Sequence, residues 1–364
     1  MTNKERQVFE IIKANPTIEQ GEIAAILGIS RSTVAVHISS LQRQGYLLGR
    51  AYIINEDKYI VGIGASNIDI YGKSRIAIRT HYDHPADIYS SVGGVIHNII
   101  TNYARLGGKC KMFSAVGDDP FGKIILDDYR DSNIDVSEIL VSKDNPSGVF
   151  MQAQSEDNDM YLALCDQTAL REITPEYIRS KERIITHAKL VVIDPTLPIE
   201  TIEEIISVCK DKTLIYVDPV SDNFAALLSK YVGEFCCVKP NLSELECIAG
   251  MFVKNDEDLI NACQSLIDKG LEKIYVSLSE DGLFYMDKEK HVKRQLFKVD
   301  DMVNASGAGD ALMGAILYGE TNDLSTEEIM DLGMAAGIAT IRHNETIRKD
   351  MSLELLEEII KEKN

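Results

Sequence analysis

The chain contains no run of about 18 or more apolar residues, so a helical membrane span is not expected. Its first residues, MTNKERQVFE, have no apolar centre of the kind a secretory leader needs, which points to a cytoplasmic location. Cysteine is scarce and unpatterned: seven residues, an odd number, with only Cys236 and Cys237 adjacent. No metal-ligand or redox spacing results, and reduced thiols are the expectation. Internal repeats and low-complexity linkers are missing as well. Positive charge is in short supply, with 38 Lys and Arg against 57 Asp and Glu and a formal net charge of −19. Up to Asp57 the two signs balance at six each, so the whole excess of negative charge belongs to the remainder. An acidic body of this kind repels nucleic acid, and any DNA contact falls to the N-terminal segment.

What is present divides in two. A chain of 364 residues with 45% hydrophobic content suits two domains and a sizeable core. Residues 1–57 read as a helical unit. Val8, Ile11 and Ile12 recur at helical spacing before Asn15-Pro16 stops the first helix. Thr17 followed by Gln20 fits a capping box for a second helix through Leu27. Ala24 supplies the small residue, and Gly28 the turn, that a helix-turn-helix needs before the third helix, SRSTVAVHISSLQRQG. YLLGRAYII then reads as two short strands with Gly49 at their turn. This segment resembles the winged helix-turn-helix of bacterial transcription regulators. The resemblance implies a third helix in the major groove with Arg31, Ser32, Thr33 and His37 outward, and a homodimer spanning two half-sites. A packing or dimerisation module would show the same pattern.

Residues 58–364 alternate short apolar runs (YIVGIGA, KCKMFSAVG, KLVVIDP, LIYVDP, EFCCVKPN, KIYVSLS) with amphipathic stretches such as VIHNIITNYARLGG and PIETIEEIISVCK. Alternation of this sort argues for an α/β fold, a mostly parallel sheet with helices on both faces. Ligands bind such sheets beyond the carboxyl ends of the strands. Two polar-apolar alternating pieces, within about 69–92 and 148–166, read instead as strands of a small β-sheet lid. Their tyrosines suit stacking on a base, and equally suit ordinary strands.

The strongest local signal is NASGAGD, residues 304–310, ahead of the apolar helix ALMGAILYG. Glycines that open a helix expose backbone N–H groups to an anion, so Gly307, Ala308 and Gly309 form a candidate anion hole. Asp310 at that mouth would repel a phosphate but suits a base facing an acceptor hydroxyl. A helix cap on a glycine turn is the plainer alternative.

From Tyr59 to about Ile347 the chain resembles the phosphofructokinase-B, or ribokinase-like, family of carbohydrate and nucleoside kinases. Gly307 to Asp310 match its C-terminal signature; Gly93, Gly94 and Asn98, followed by AVGDDPFG, match its N-terminal one. The resemblance implies a kinase using ATP and Mg2+, with Asp310 as the base. It also implies sugar binding by Asn67, Asp69 and Asn98, and a lid hinge at Gly93-Gly94. Asn241 and Glu244 would organise magnesium, Glu244 through water, and Ser277, Ser279 and Gly282 would lie beside the nucleotide. Plainer roles exist here too: Asn67 as a turn former, Asn241 as a helix cap, Glu244 as its capping-box partner. Two positions depart from the family. Asn304 stands where an Asp is usual near a monovalent-cation site, and Ser279 replaces a usual Gly. Within the family the segments VNASGAGDALMGAI, YVDPVSDNFAALL and KPNLSELECIAG most resemble the pseudouridine kinases. The acceptor implied is a nucleoside or sugar, with pseudouridine first and ribose, a hexose-type sugar or inosine as alternatives. A transcription regulator that uses the kinase fold as a ligand sensor is the reading from another class.

Overall fold

The computed structural model describes residues 2–15, 18–47, 59–157, 160–296, 302–303 and 306–362, in two compact units, Met1–Glu56 and Asp57–Asn364. The first unit holds α1 (Asn3–Ala14), α2 (Gln20–Leu27) and α3 (Arg31–Arg43). Val8, Ile23, Ala24, Val34, Ile38 and Leu41 recur at helical spacing and close its small core. Gly28 ends α2 with φ of 62°, the left-handed turn expected of it. The cap of α2 is Glu19, two residues past the expected Thr17, which lies outside the described residues. Ser30 caps α3, its hydroxyl accepting the Thr33 amide at 3.1 Å. Arg31, Ser32 and Thr33 are exposed on the first turn of α3, with His37 half-buried one turn on. The expected wing around Gly49 lies outside the described residues.

The second unit has a nine-stranded sheet and a separate four-stranded one. Chain order begins β1 (Ile60–Ile63), β2 (Asn67–Ser74), β3 (Ala86–Gly93), α4 (Val95–Arg105), β4 (Cys110–Gly117) and α5 (Pro120–Asp131). It continues through β5 (Asp135–Ser142), β6 (Gly148–Gln154), β7 (Met160–Asp166), α6 (Pro175–Ser180), α7 (Glu182–Thr186) and β8 (Leu190–Ile193). Next come α8 (Ile199–Cys209), β9 (Leu214–Val217), α9 (Asp222–Leu228), β10 (Cys237–Val238), α10 (Leu242–Ala249) and α11 (Asp256–Asp268). The unit ends with β11 (Lys273–Ser277), β12 (Leu283–Asp287), β13 (His291–Arg294), α12 (Ala308–Thr321), α13 (Thr326–Ile341) and α14 (Leu353–Lys361).

The large sheet runs β13-β12-β11-β10-β9-β8-β1-β4-β5, parallel from β11 to β5. An antiparallel hairpin, β12–β13, not foreseen from the sequence, closes one edge. Alternate residues of each strand enter two cores. Ile60, Val192 and Tyr216 face α4, α12 and α13, while Val61, Ile193 and Val217 face α8, α10 and α11. Burial on both faces is why these strands read as continuous apolar runs. The small sheet, β3-β2-β6-β7, comes from the two alternating segments expected to form a lid.

Two helices decide where the site is. α4 follows Gly94 and α12 follows Gly307, and they cross where Gly314 has no side chain. A Cβ at Gly314 would lie 2.8 Å from Asn102 Cβ and 2.9 Å from the Ile99 carbonyl oxygen. Gly314→Ala gains about 1 kcal/mol of helix propensity but overpacks this crossing at a cost of roughly 1–3 kcal/mol. The expected outcome is a net loss of stability in urea titration, with the two helices forced apart.

Candidate active site

The parallel register sets three charged residues in a row. Ile193 pairs with Val217, and Val217 with Val238, so Asp194, Asp218 and Lys239 each follow the last residue of adjacent strands. Each is followed by proline, which cannot donate to the ladder and ends the strand there. Lys239 Nζ lies 2.9 Å from Asp218 Oδ2, with both side chains about 6% exposed. Burial would depress the Lys239 pKa, but the Asp218 carboxylate, joined by Glu244 and Asp310, offsets it and the net shift is upward. Asp194 is fully buried; one carboxylate oxygen takes the Thr196 amide and hydroxyl, and the other has no protein partner. Burial pushes its pKa up to about 7.

Above this row α12 begins. Its first 13-atom ring is closed by the Ala311 amide donating to the Gly307 carbonyl at 2.9 Å. The amides of Ala308, Gly309 and Asp310 are therefore the free N–H groups of the first turn. Gly307 holds φ at 81°, and a Cβ there would sit 2.3 Å from the Thr346 carbonyl oxygen. Asp310 Oδ2 accepts a 2.7 Å hydrogen bond from Asn98 Nδ2 on α4, leaving Oδ1 for another group. Burial, then repulsion from Asp218, push the Asp310 pKa up to about 7, against the pull of Asn98 and Lys239.

Asn98 is itself oriented. Its Oδ1 faces His97 Nδ1 at 3.1 Å, while His97 Nε2 lies 2.9 Å from Asp128 Oδ2. Beside it, Asn67 donates to Asp69 at the base of β2, and Tyr71 donates to Asp69 Oδ2 at 3.3 Å. Burial raises the Asp69 pKa to about 6. A Cβ at Gly93 would fall 2.2 Å from Asp69 Oδ2, and one at Gly94, where φ is 104°, 2.6 Å from the Ala65 carbonyl oxygen. The diglycine thus makes room for the carboxylate and for the turn into α4. The structure brings Asn67, Asp69, Gly93, Gly94, Asn98 and Asp310 into one patch. A cavity of about 980 Å³ lies next to this patch, lined among others by Tyr71, Tyr89, His97, Asp128 and Gln152; none of the six residues lines it. The Tyr71 and Tyr89 rings stack there, with centroids 5.3 Å apart.

The remaining sequence candidates gather around α10. Asn241 Oδ1 accepts the Glu244 amide and Glu244 Oε2 accepts the Asn241 amide, each at 2.9 Å. The capping box is therefore real, and it leaves Glu244 Oε1 unused by the cap. Glu244 is 5% exposed, and burial with the nearby Asp218 raises its pKa. Asn241 bridges to Ser277 at the end of β11. Ser279 and Gly282 form the turn into β12 with φ of 51° and 92°. The left-handed Ser279 backbone explains why glycine suits that position better. Asn304 lies outside the described residues.

The residues present fit a magnesium ion: a hard cation takes carboxylate oxygen and retains water, and Glu244 Oε1 is a carboxylate oxygen the cap does not use. Sequence reasoning passed over Asp194, Asp218, Lys239, His97 and Asp128. A signal for the first three was available, in the repeated apolar run, charged residue and proline of VVIDP, YVDP and CVKP.

The description "pfkB family carbohydrate kinase" matches residues 57–352, and "winged helix-turn-helix DNA-binding" matches residues 1–47. The uncharacterized sugar kinase YeiI of Escherichia coli (strain K12) is 31% identical over 87% of this chain and 88% of its own length. The pseudouridine kinase of the same organism is 28% identical over 72% of this chain and 84% of its own. The crystal structure of a putative sugar kinase from Clostridium perfringens superposes with a TM-score of 0.77 at 30% identity, covering 85% of this chain and 97% of that one.

A carboxyl whose folded pKa is raised above its unfolded value loses stabilising protonation as pH rises between the two. Asp310→Asn removes that loss. The variant is expected to melt higher than the wild type at pH 8, with the gap closing below pH 4, as thermal denaturation followed by circular dichroism would register.

Proposed function

The chain belongs to the pfkB family of carbohydrate kinases, phosphotransferases with an alcohol group as acceptor, and from that premise we propose that it transfers the γ-phosphate of ATP to the 5′-hydroxyl of a nucleoside, pseudouridine before others. The observation that carries the mechanism is Asp310 Oδ1, left open at the mouth of α12 while Asn98 holds Oδ2. The acceptor oxygen attacks the γ-phosphorus, the bond to ADP breaks, and the hydroxyl proton passes to Asp310. Backbone amides of Ala308, Gly309 and Asp310 take the charge that develops on the phosphoryl oxygens. Asn67 and Asp69 hold the sugar hydroxyls, and the Gly93-Gly94 hinge lets β2, β3, β6 and β7 close over them to exclude water. Asn241 and Glu244 would hold magnesium through water, and the ion would neutralise charge shared between the phosphates. Ser277, Ser279 and Gly282 flank the nucleotide.

A base on the sugar is favoured by the stacked Tyr71 and Tyr89: the Tyr71 hydroxyl reaches Asp69, and the two residues help wall the neighbouring cavity. The likeness to a pseudouridine kinase supports the same choice. ATP consumption with pseudouridine, uridine, inosine, ribose and a hexose tests the acceptor. Turnover strongest on a nucleoside, and lowered about a hundredfold or more in Asp310→Asn, is expected. Preference for a free sugar overturns the nucleoside reading; an undiminished variant overturns the base.

We also propose that the N-terminal unit binds DNA through α3, as a homodimer. The exposed Arg31, Ser32 and Thr33 on its first turn favour this. Arg31→Ala is expected to weaken operator binding, and to lower the salt slope by about 1 if the contact is to phosphate. Operator affinity that changes with nucleoside or ATP would add the sensor role.

A further inference from the structure

Lys239 takes no part in the mechanism above, yet it is the cation set among the carboxylates of the site. It is 5% exposed, follows β10 on the carboxyl edge of the sheet, and donates its backbone amide to the Val217 carbonyl at 3.0 Å. An ammonium has three N–H groups. Asp218 Oδ2, 2.9 Å from Nζ, is an ion-pair partner that accepts no hydrogen bond, so it does not commit them. The head group also lies against the first turn of α12: a Cβ built on Gly309 would come within 3.2 Å of Nζ. Glycine at 309 keeps that approach open. Asp218, Glu244 and Asp310 all lie close enough to Lys239 to act on its charge. A triphosphate entering among these carboxylates meets repulsion that the backbone amides alone do not remove.

We propose that Lys239 is a catalytic residue of the phosphoryl transfer, its ammonium steered by Asp218 onto the oxygens of the transferred group. This rests on the kinase reading above and adds a side-chain cation to its backbone anion hole. Nothing in the balance of the reaction changes: the acceptor proton still goes to Asp310 and the electron pair of the broken bond still leaves with ADP. Lys239 keeps its proton throughout and acts by charge. Asp218 is then a positioning residue, aiming Nζ at the helix mouth instead of into solvent.

A buried ion pair can also be a plain structural element, and breaking one side leaves the other charge buried and unpaired. Lys239→Met, Lys239→Arg and the double variant Lys239→Met/Asp218→Asn separate the two roles, each measured for kcat, acceptor KM and thermal midpoint. Lys239→Met is expected to lose about a hundredfold or more in kcat, with acceptor KM little changed and a lowered midpoint. The double variant is expected to recover the midpoint and not the kcat, while Lys239→Arg recovers part of the kcat. A double variant within a few-fold of wild-type kcat would show a structural pair only and overturn the proposal. Wild-type kcat in Lys239→Met would overturn it as well. If the wild type consumes no ATP with any acceptor, the kinase reading fails and this proposal fails with it.

Discussion

Asn98 reaches Asp310 across the crossing of α4 and α12, and the geometry of the site depends on how close those helices come. The 2.7 Å bond joins residues 212 positions apart in sequence. It forms because Gly314 offers no side chain at the crossing, where even a methyl group would fall inside van der Waals distance of Asn102 and the Ile99 carbonyl. Close approach also sets the entry angle of α12, and with it the direction of the free amides of Ala308 and Gly309. Packing that looks like ordinary core filling thus orients the proposed base and the proposed anion hole together. His97, held between Asn98 and Asp128, limits which way the Asn98 amide faces.

The second constraint is charge. Parallel strands in register put Asp194, Asp218 and Lys239 side by side, and the helix mouth adds Asp310. Three carboxylates against one ammonium is an unfavourable arrangement in a buried edge. Burial first, and repulsion from Asp218 after it, raise the carboxyl groups of Asp194 and Asp310 to about 7. A base with a pKa near the working pH is well matched to taking a proton from a hydroxyl. Stability given up along this edge is the physical counterpart of that reactivity.

Much of this was legible in the sequence, for identifiable reasons. Runs such as KLVVIDP declare strands buried on both faces, and the alternating segments around Tyr71 and Met151 declare a sheet with two unlike faces. NASGAGD marks a helix mouth because glycine and aspartate there have few other uses. The hairpin β12–β13 was missed since β12, LFYMD, is short and its partner HVKR is polar at alternate positions. Lys239 was missed although CVKP repeats the pattern of VVIDP and YVDP: the pattern marks a charged residue at a strand end, while its pairing with Asp218 on the neighbouring strand is a matter of register, which a single sequence does not display. The cap of α2 fell two residues from its expected place because Glu19 with Glu22 forms the same reciprocal box as a hydroxyl residue would.

In the proposed reaction one place at the carboxyl edge of the sheet assembles an acceptor hydroxyl, Asp310 and a phosphoryl group in line. The most direct measurement is a crystal structure of the Asp310→Asn variant with pseudouridine and a non-hydrolysable ATP analogue. The 5′-oxygen is expected within hydrogen-bond distance of residue 310, in line with the γ-phosphorus, and that phosphate on the amides of Ala308 and Gly309. A nucleoside bound with its 5′-oxygen turned away from residue 310, or a γ-phosphate seated elsewhere than the mouth of α12, would contradict the proposed reaction.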